Sequence, residues 1–219
     1  MGSLDYNLPI VTEELIERVY RMYTSTNTDG KPDGLLKKLS TSFRPKAASK
    51  STYVHGLEDT RDYIASNNSA LGGLMSAPAK KFTEISDFTS VLEPAVLMYC
   101  VLIKTGEPIP VLEERTKQIL IRRYTGDDKT YETDLKAAFN DLKRNNPFLF
   151  KFLKEQMDSK YKTGKISREI LKAAAESLTL TYLALRVAGP NMDEFSVARV
   201  LKELEVNSQP LSLWFYLNL

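Results

Sequence analysis

The chain of 219 residues has one cysteine, Cys100, and one histidine, His55. A single thiol cannot close an internal disulfide, and this one lies within the apolar run 91–103, so a reducing compartment is expected. The same scarcity leaves too few ligands for a Cys/His zinc site. It also leaves one imidazole to activate a serine or cysteine nucleophile, in a lysine-bearing stretch, while Cys100 reads as packing. Phosphate-binding loops of the Walker and Rossmann types are missing, Gly72-Gly73 having the spacing of neither. No cofactor or metal is expected. Residues 24–36 resemble a calcium loop only in part: with Gly30 at the turn, Asp29, Asn27 and Ser25 stand at ligand positions, but Leu36 occupies the place of the bidentate glutamate.

Long apolar runs are lacking too. Val91 to Ile103 contains Glu93 and Pro94 and is shorter than a bilayer requires, and the first thirty residues carry Glu13, Glu14 and Glu17 without an apolar block. Neither a membrane span nor a secretory signal is expected, and the cytoplasm is the expected location. Alternating strand patterns with hairpin turns are missing, and no period of 20 to 50 residues repeats.

What is present is helical periodicity. From Ile166 to Gly189 the chain starts polar, with Ser167, Arg168, Glu169, Lys172 and Glu176, and then turns apolar nearly all round. Ile170, Ala174, Leu178, Tyr182 and Leu185 mark one side and Leu180, Leu183 and Val187 the other, the pattern of an enclosed helix over 167–188 stopped by Gly189 and Pro190. The fold expected is all-α, a compact helical domain or two packed lobes around this helix. An apolar N-terminal arm, 1–11, and a C-terminal arm, 210–219, flank a helical core, 12–209.

Around the central element, Thr12 is expected to cap a helix with Leu15, Ile16, Val19, Tyr20 and Tyr23 on its buried face, followed by a turn-rich stretch from Thr24 to Gly34 and a short helix 35–39. A basic loop follows at 40–56. Glu58 to Ala65 reads as a short helix and 66–73 as a loop. Thr83 to Lys104 reads as one helix or two, with Ser90 and Glu93 as a capping box for the second piece and Pro94 in its first turn. Another helix runs to Tyr124, with Glu113 and Glu114 at its start and Arg122 and Arg123 at its end, as the helix dipole favours. A helix on Tyr131, Leu135, Ala138, Phe139 and Leu142 leads to one begun by Asn146 and Pro147 with Phe148, Leu149, Phe152, Leu153, Met157 and Tyr161 on its apolar side. A last helix is expected to be capped by Asn191 and to use Phe195, Ala198, Leu201 and Leu204.

Charge is distributed unevenly. Gly34 to Phe82 holds eight Lys/Arg against three acids and Lys143 to Arg168 eight against two, although the chain as a whole carries only +2. On the second window, Lys151 can pair with Glu155 and Asp158 with Lys154 or Lys162. Lys143, Arg144, Lys160, Lys165 and Arg168 are left over at helix ends, where phosphates are readily held. In the first window, Lys37, Lys38, Arg44, Lys46 and Lys50 are interleaved with Phe43 and Tyr53, the combination of cations and stacking rings that single-stranded nucleic acid requires.

The termini are rich in anchors, with Leu4, Tyr6 and Leu8 at one end and Leu211, Leu213, Trp214, Phe215 and Tyr216 at the other, apolar surface that needs a cover. The function expected is therefore non-enzymatic: a subunit that assembles with copies of itself through its arms and binds single-stranded nucleic acid, RNA rather than DNA, as a nucleocapsid or coat protein of a virion does. A helical adaptor that binds proteins through apolar grooves and its tail is the alternative. A carboxylate-only enzyme is a third.

Overall fold

A computed structural model describes residues 8–26, 57–125 and 130–206. These form nine α-helices: α1 (Glu13–Thr26), α2 (Leu57–Asn67), α3 (Ser69–Met75), α4 (Ile85–Lys104), α5 (Glu114–Thr125), α6 (Thr130–Asn145), α7 (Pro147–Lys162), α8 (Arg168–Arg186) and α9 (Glu194–Val206). One 3₁₀ turn, Ala77–Ala79, follows α3. The protein is all-α, with no strand among the described residues.

Helix α8 is the centre. Ser167 caps it, its hydroxyl accepting from the Ile170 amide at 3.2 Å, and every residue from Ala173 to Arg186 is buried. Polar residues survive there because each finds a partner: the Thr179 and Thr181 hydroxyls donate to the carbonyls of Ala175 and Ser177, and Ser177 donates to the carbonyl of Met75 at 2.8 Å. Leu171, Leu178, Leu183 and Leu185, each contributing about 1.5–3 kcal/mol on burial, join one core shared with α4 and most of the other helices.

Helix α4 is continuous. Ser90 and Glu93 lie within it instead of capping a second piece, and Pro94 sits in its interior, leaving the Ser90 carbonyl without its usual partner. At twenty residues it is the one helix among those described that is long and apolar enough to cross a membrane. It lies inside this fold, however, with every residue from Val91 to Leu102 except Glu93 buried.

Other expectations are corrected by packing. Thr12 does cap α1, accepting from the Leu15 amide, and α1 continues through Thr26 into the stretch expected to turn. The segment expected as a loop at 66–73 is mostly helix α3. Its Gly72 is tolerated because α2 presses close, a Cβ there standing 3.3 Å from Ile64 Cγ2. Asn146 stands at the start of α7 but does not cap it; its side chain reaches instead to Val11. The cap of α9 is Asp193, which accepts from the Ser196 amide at 2.7 Å, and Asn191 adopts φ 58°. The buried face of α9 is Val197, Val200, Leu201 and Leu204, whereas Phe195 is 78% exposed and Ala198 is exposed; Phe148 on α7 is likewise exposed.

Candidate nucleic-acid interface

The second basic window splits when folded. Arg144, at the end of α6, places a guanidinium nitrogen 2.7 Å from Asp141 Oδ1. Asp141 is buried, accepts from the Tyr182 hydroxyl at 2.7 Å and from Asn145, and lies 3.6 Å from Arg186. Burial, and then the neighbouring Asp141 charge, pushes the Tyr182 hydroxyl far above its ordinary pKa, so it stays a donor. Lys160 pairs with the half-buried Glu93 on α4, and Lys154 with Asp158. Arg144 and Lys160, expected as unpaired phosphate contacts, are thus counterions of carboxylates within the fold.

The remaining cations gather where α7 turns into α8. Gly164 takes φ 69°, and amides 164 and 165 donate to the carbonyls of Tyr161 and Lys160, closing α7. This turn leaves Lys162, Lys165 and Arg168 exposed, and none makes an ion pair with a described residue. Lys143 is also exposed, at the far end of α6.

The first window meets this turn through residues to which sequence reasoning gave no role. After the 3₁₀ turn, Lys80 and Lys81 are exposed, and Lys81 Nζ lies 3.2 Å from the Glu169 carboxylate and 5.2 Å from the Phe82 ring. Glu169 follows Arg168 directly, so the Lys81–Glu169 pair brings the end of the first window to the end of the second, with Lys80, Lys162, Lys165 and Arg168 exposed in the adjoining residues. Glu84 and Asp87 follow at the start of α4. Their membership of the same two windows was the only signal in the sequence. Lys37, Lys38, Phe43, Arg44, Lys46, Lys50, Tyr53 and His55 lie outside the described residues, as do Leu4, Tyr6, Leu211, Leu213, Trp214, Phe215 and Tyr216.

Two other sites have less to offer an anion. Between α5 and α9, a shallow cavity of about 270 Å³ is lined by Arg115, Ile119, Arg122, Asp193, Glu194 and Phe195, where charges balance and Arg122 pairs with Glu194 at 3.3 Å. On α8, burial raises the pKa of Glu176, against the pull of Lys172 at 3.9 Å and of Lys81; the Tyr124 hydroxyl stands 3.5 Å away. Tyr124 and Tyr131 stack edge to face beside it, centroids 5.6 Å apart. The Cys100 thiol, buried, is also pushed up, and no group of three or more Asp, Glu, His or Cys among the described residues is placed to hold a metal.

Leu8, expected to meet another subunit, is 6% exposed and packs with Val11 in the protein's own core. No family model, curated protein or solved structure matches this chain.

Proposed function

We infer that the protein binds single-stranded nucleic acid, RNA in preference to DNA, and assembles with copies of itself, as a nucleocapsid or coat subunit does. The observation that carries this reading is the meeting of the two basic windows at the α7–α8 turn. Lys81 pairs there with Glu169, and Lys80, Lys162, Lys165 and Arg168 are exposed in the residues next to that pair in sequence, with Glu84 and Asp87 following at the start of α4. Lysines on a turn follow a flexible phosphate backbone without fixing a base sequence, and the aromatic residues of the first window supply stacking. Large exposed apolar side chains, Ile10, Phe195 and Val206, support contacts between copies.

The test is anisotropy of labelled single-stranded oligonucleotides titrated at several salt concentrations. Binding should weaken steeply with salt and vary little among unrelated sequences. Affinity that ignores salt, or the absence of binding at low salt, refutes the nucleic-acid half of the reading. Light scattering on the same preparation tests assembly.

A further inference from the structure

The described residues contain the same structural device twice. Asn68 separates α2 from α3 with φ −147° and ψ 55°, and Asn146 separates α6 from α7 with φ −136° and ψ 62°. Each amide donates back to the helix before it, to Ile64 at 2.8 Å or Leu142 at 2.9 Å, and each carbonyl accepts from the helix after it, from Gly72 or Phe150. Each side-chain oxygen holds a non-helical strap from elsewhere in the chain: Asn68 Oδ1 accepts from the Leu112 amide at 3.0 Å, and Asn146 Oδ1 from the Val11 amide at 2.9 Å. The straps are alike, Pro110-Val111-Leu112 before α5 and Pro9-Ile10-Val11 before α1, with the middle residue exposed and the last buried. Asn67-Asn68 and Asn145-Asn146 match in turn, each with a buried leucine three residues after the corner, Leu71 and Leu149.

The two copies of the device are crossed. The strap and helix that open the second half dock on the corner of the first; the first strap docks on the corner of the second, and α1 packs on α4 of its own half as well as on α7. The third helices cross as well: α3 meets α8 through Ser177 and Met75, while α7 meets α4 through Lys160 and Glu93. Crossed docking is also the arrangement that two separate chains adopt when they exchange their leading segments.

The straps differ in two respects. At Asn68 both side-chain atoms are used, since Nδ2 donates to the Pro110 carbonyl at 3.1 Å. At Asn146, fully buried, Nδ2 has no hydrogen-bond partner among the described residues. A buried amide left unpaired weakens the docking that buries it. The second difference is chain length. Four residues, 126–129, join α5 to α6 and tie its strap to one molecule, whereas thirty, 27–56, join α1 to α2 and reach up to ~100 Å.

We propose that residues 8–26 exchange between molecules: the Pro9-Ile10-Val11 strap and α1 of one copy dock on the Asn146 corner and α7 of a second copy. This rests on the assembly reading above and names its contact. The interface is the one already present within the chain, including Tyr20 edge to face with Phe152 at 5.3 Å, so exchange needs no new surface.

The experiment uses the full chain with Cys100→Ser, donor-labelled at Ile10→Cys in one preparation and acceptor-labelled at Phe148→Cys in another, both exposed sites. The two are mixed, unfolded together and refolded, and energy transfer is read alongside mass by light scattering. Exchange predicts oligomers whose transfer between chains approaches that of one chain carrying both labels. Oligomers without such transfer overturn the exchange and leave the assembly reading standing. Monomers without transfer overturn both. If labels at these positions disturb docking, as seen by circular dichroism, Glu17→Cys on α1 with Lys151→Cys on α7 gives the same readout.

Discussion

Arg144 and Lys165 carry the same charge in the same basic window, yet they belong to different parts of the protein's physics. Arg144 and Lys160 neutralise carboxylates that the core has drawn out of water, while Lys162, Lys165 and Arg168 stand on a turn with no described acid to satisfy. The difference teaches that a cationic window is a sum of two populations. Only the second can contribute charge to a ligand without cost to the fold.

The comparison breaks most severely if the acid at its centre is removed. Asp141→Ala leaves the Tyr182 hydroxyl, Arg144 and the buried Arg186 without their shared acceptor, and is expected to cost about 3–5 kcal/mol, or about 6–20 °C in melting temperature by calorimetry. A loss below about 1 kcal/mol would mean that water replaces Asp141 easily.

Lys160→Ala is a milder form of the same test. Its partner Glu93 is half-buried, so a loss of about 1 kcal/mol in urea unfolding is expected, with little change in the salt dependence of binding. The reverse pattern would move Lys160 into the ligand-binding population.

The opposite signature is expected for the triple variant Lys162→Ala, Lys165→Ala and Arg168→Ala. Stability should change by less than about 0.5 kcal/mol, whereas the slope of log affinity against log salt should fall by about 0.7 for each phosphate that is no longer neutralised. An unchanged slope would detach the α7–α8 turn from the interface.

The smallest effect sharpens the contrast between buried acids. Glu176 has Lys172 at 3.9 Å, the charge of Lys81 and the Tyr124 hydroxyl at 3.5 Å in place of the Asp141 constellation, and burial raises its pKa above the ordinary 4.5. The folded state then holds a proton that the unfolded state releases, so ionisation of Glu176 costs stability as pH rises through its folded pKa and costs nothing below about pH 4.5. Glu176→Gln should therefore unfold at slightly higher urea than the parent at pH 7, and the gain should vanish at pH 4.

Much of the fold was legible from local pattern. The all-round apolarity of α8 and the cap at Thr12 are properties of neighbouring residues, and they read directly. What did not read was set by distant contacts. Helix α3 was hidden by Gly72 and Gly73, poor helix formers, the first of them retained where α2 leaves little room for a side chain. The phase of α9 was misjudged because Phe195 has the chemistry of a core residue but stands outside. Asn146 looked like a helix cap because its oxygen has no local clue that Val11 lies opposite. The site suffered in the same way. Lys160 finds Glu93 across 67 positions of sequence, so no local charge pairing separates the cations engaged within the fold from those left on the surface.

The order in which the two straps are made differs as well. On the ribosome Asn68 emerges first and Leu112 follows 44 residues later, so that strap finds its corner waiting. Val11 emerges first and must wait for Asn146, 135 residues on, which at ~5–20 residues per second is about 7–27 s. During that interval α1 has been synthesised and its receptor has not. If residues 8–26 exchange as proposed, a corner already completed on the chain ahead along the same message is there to receive α1 before its own exists.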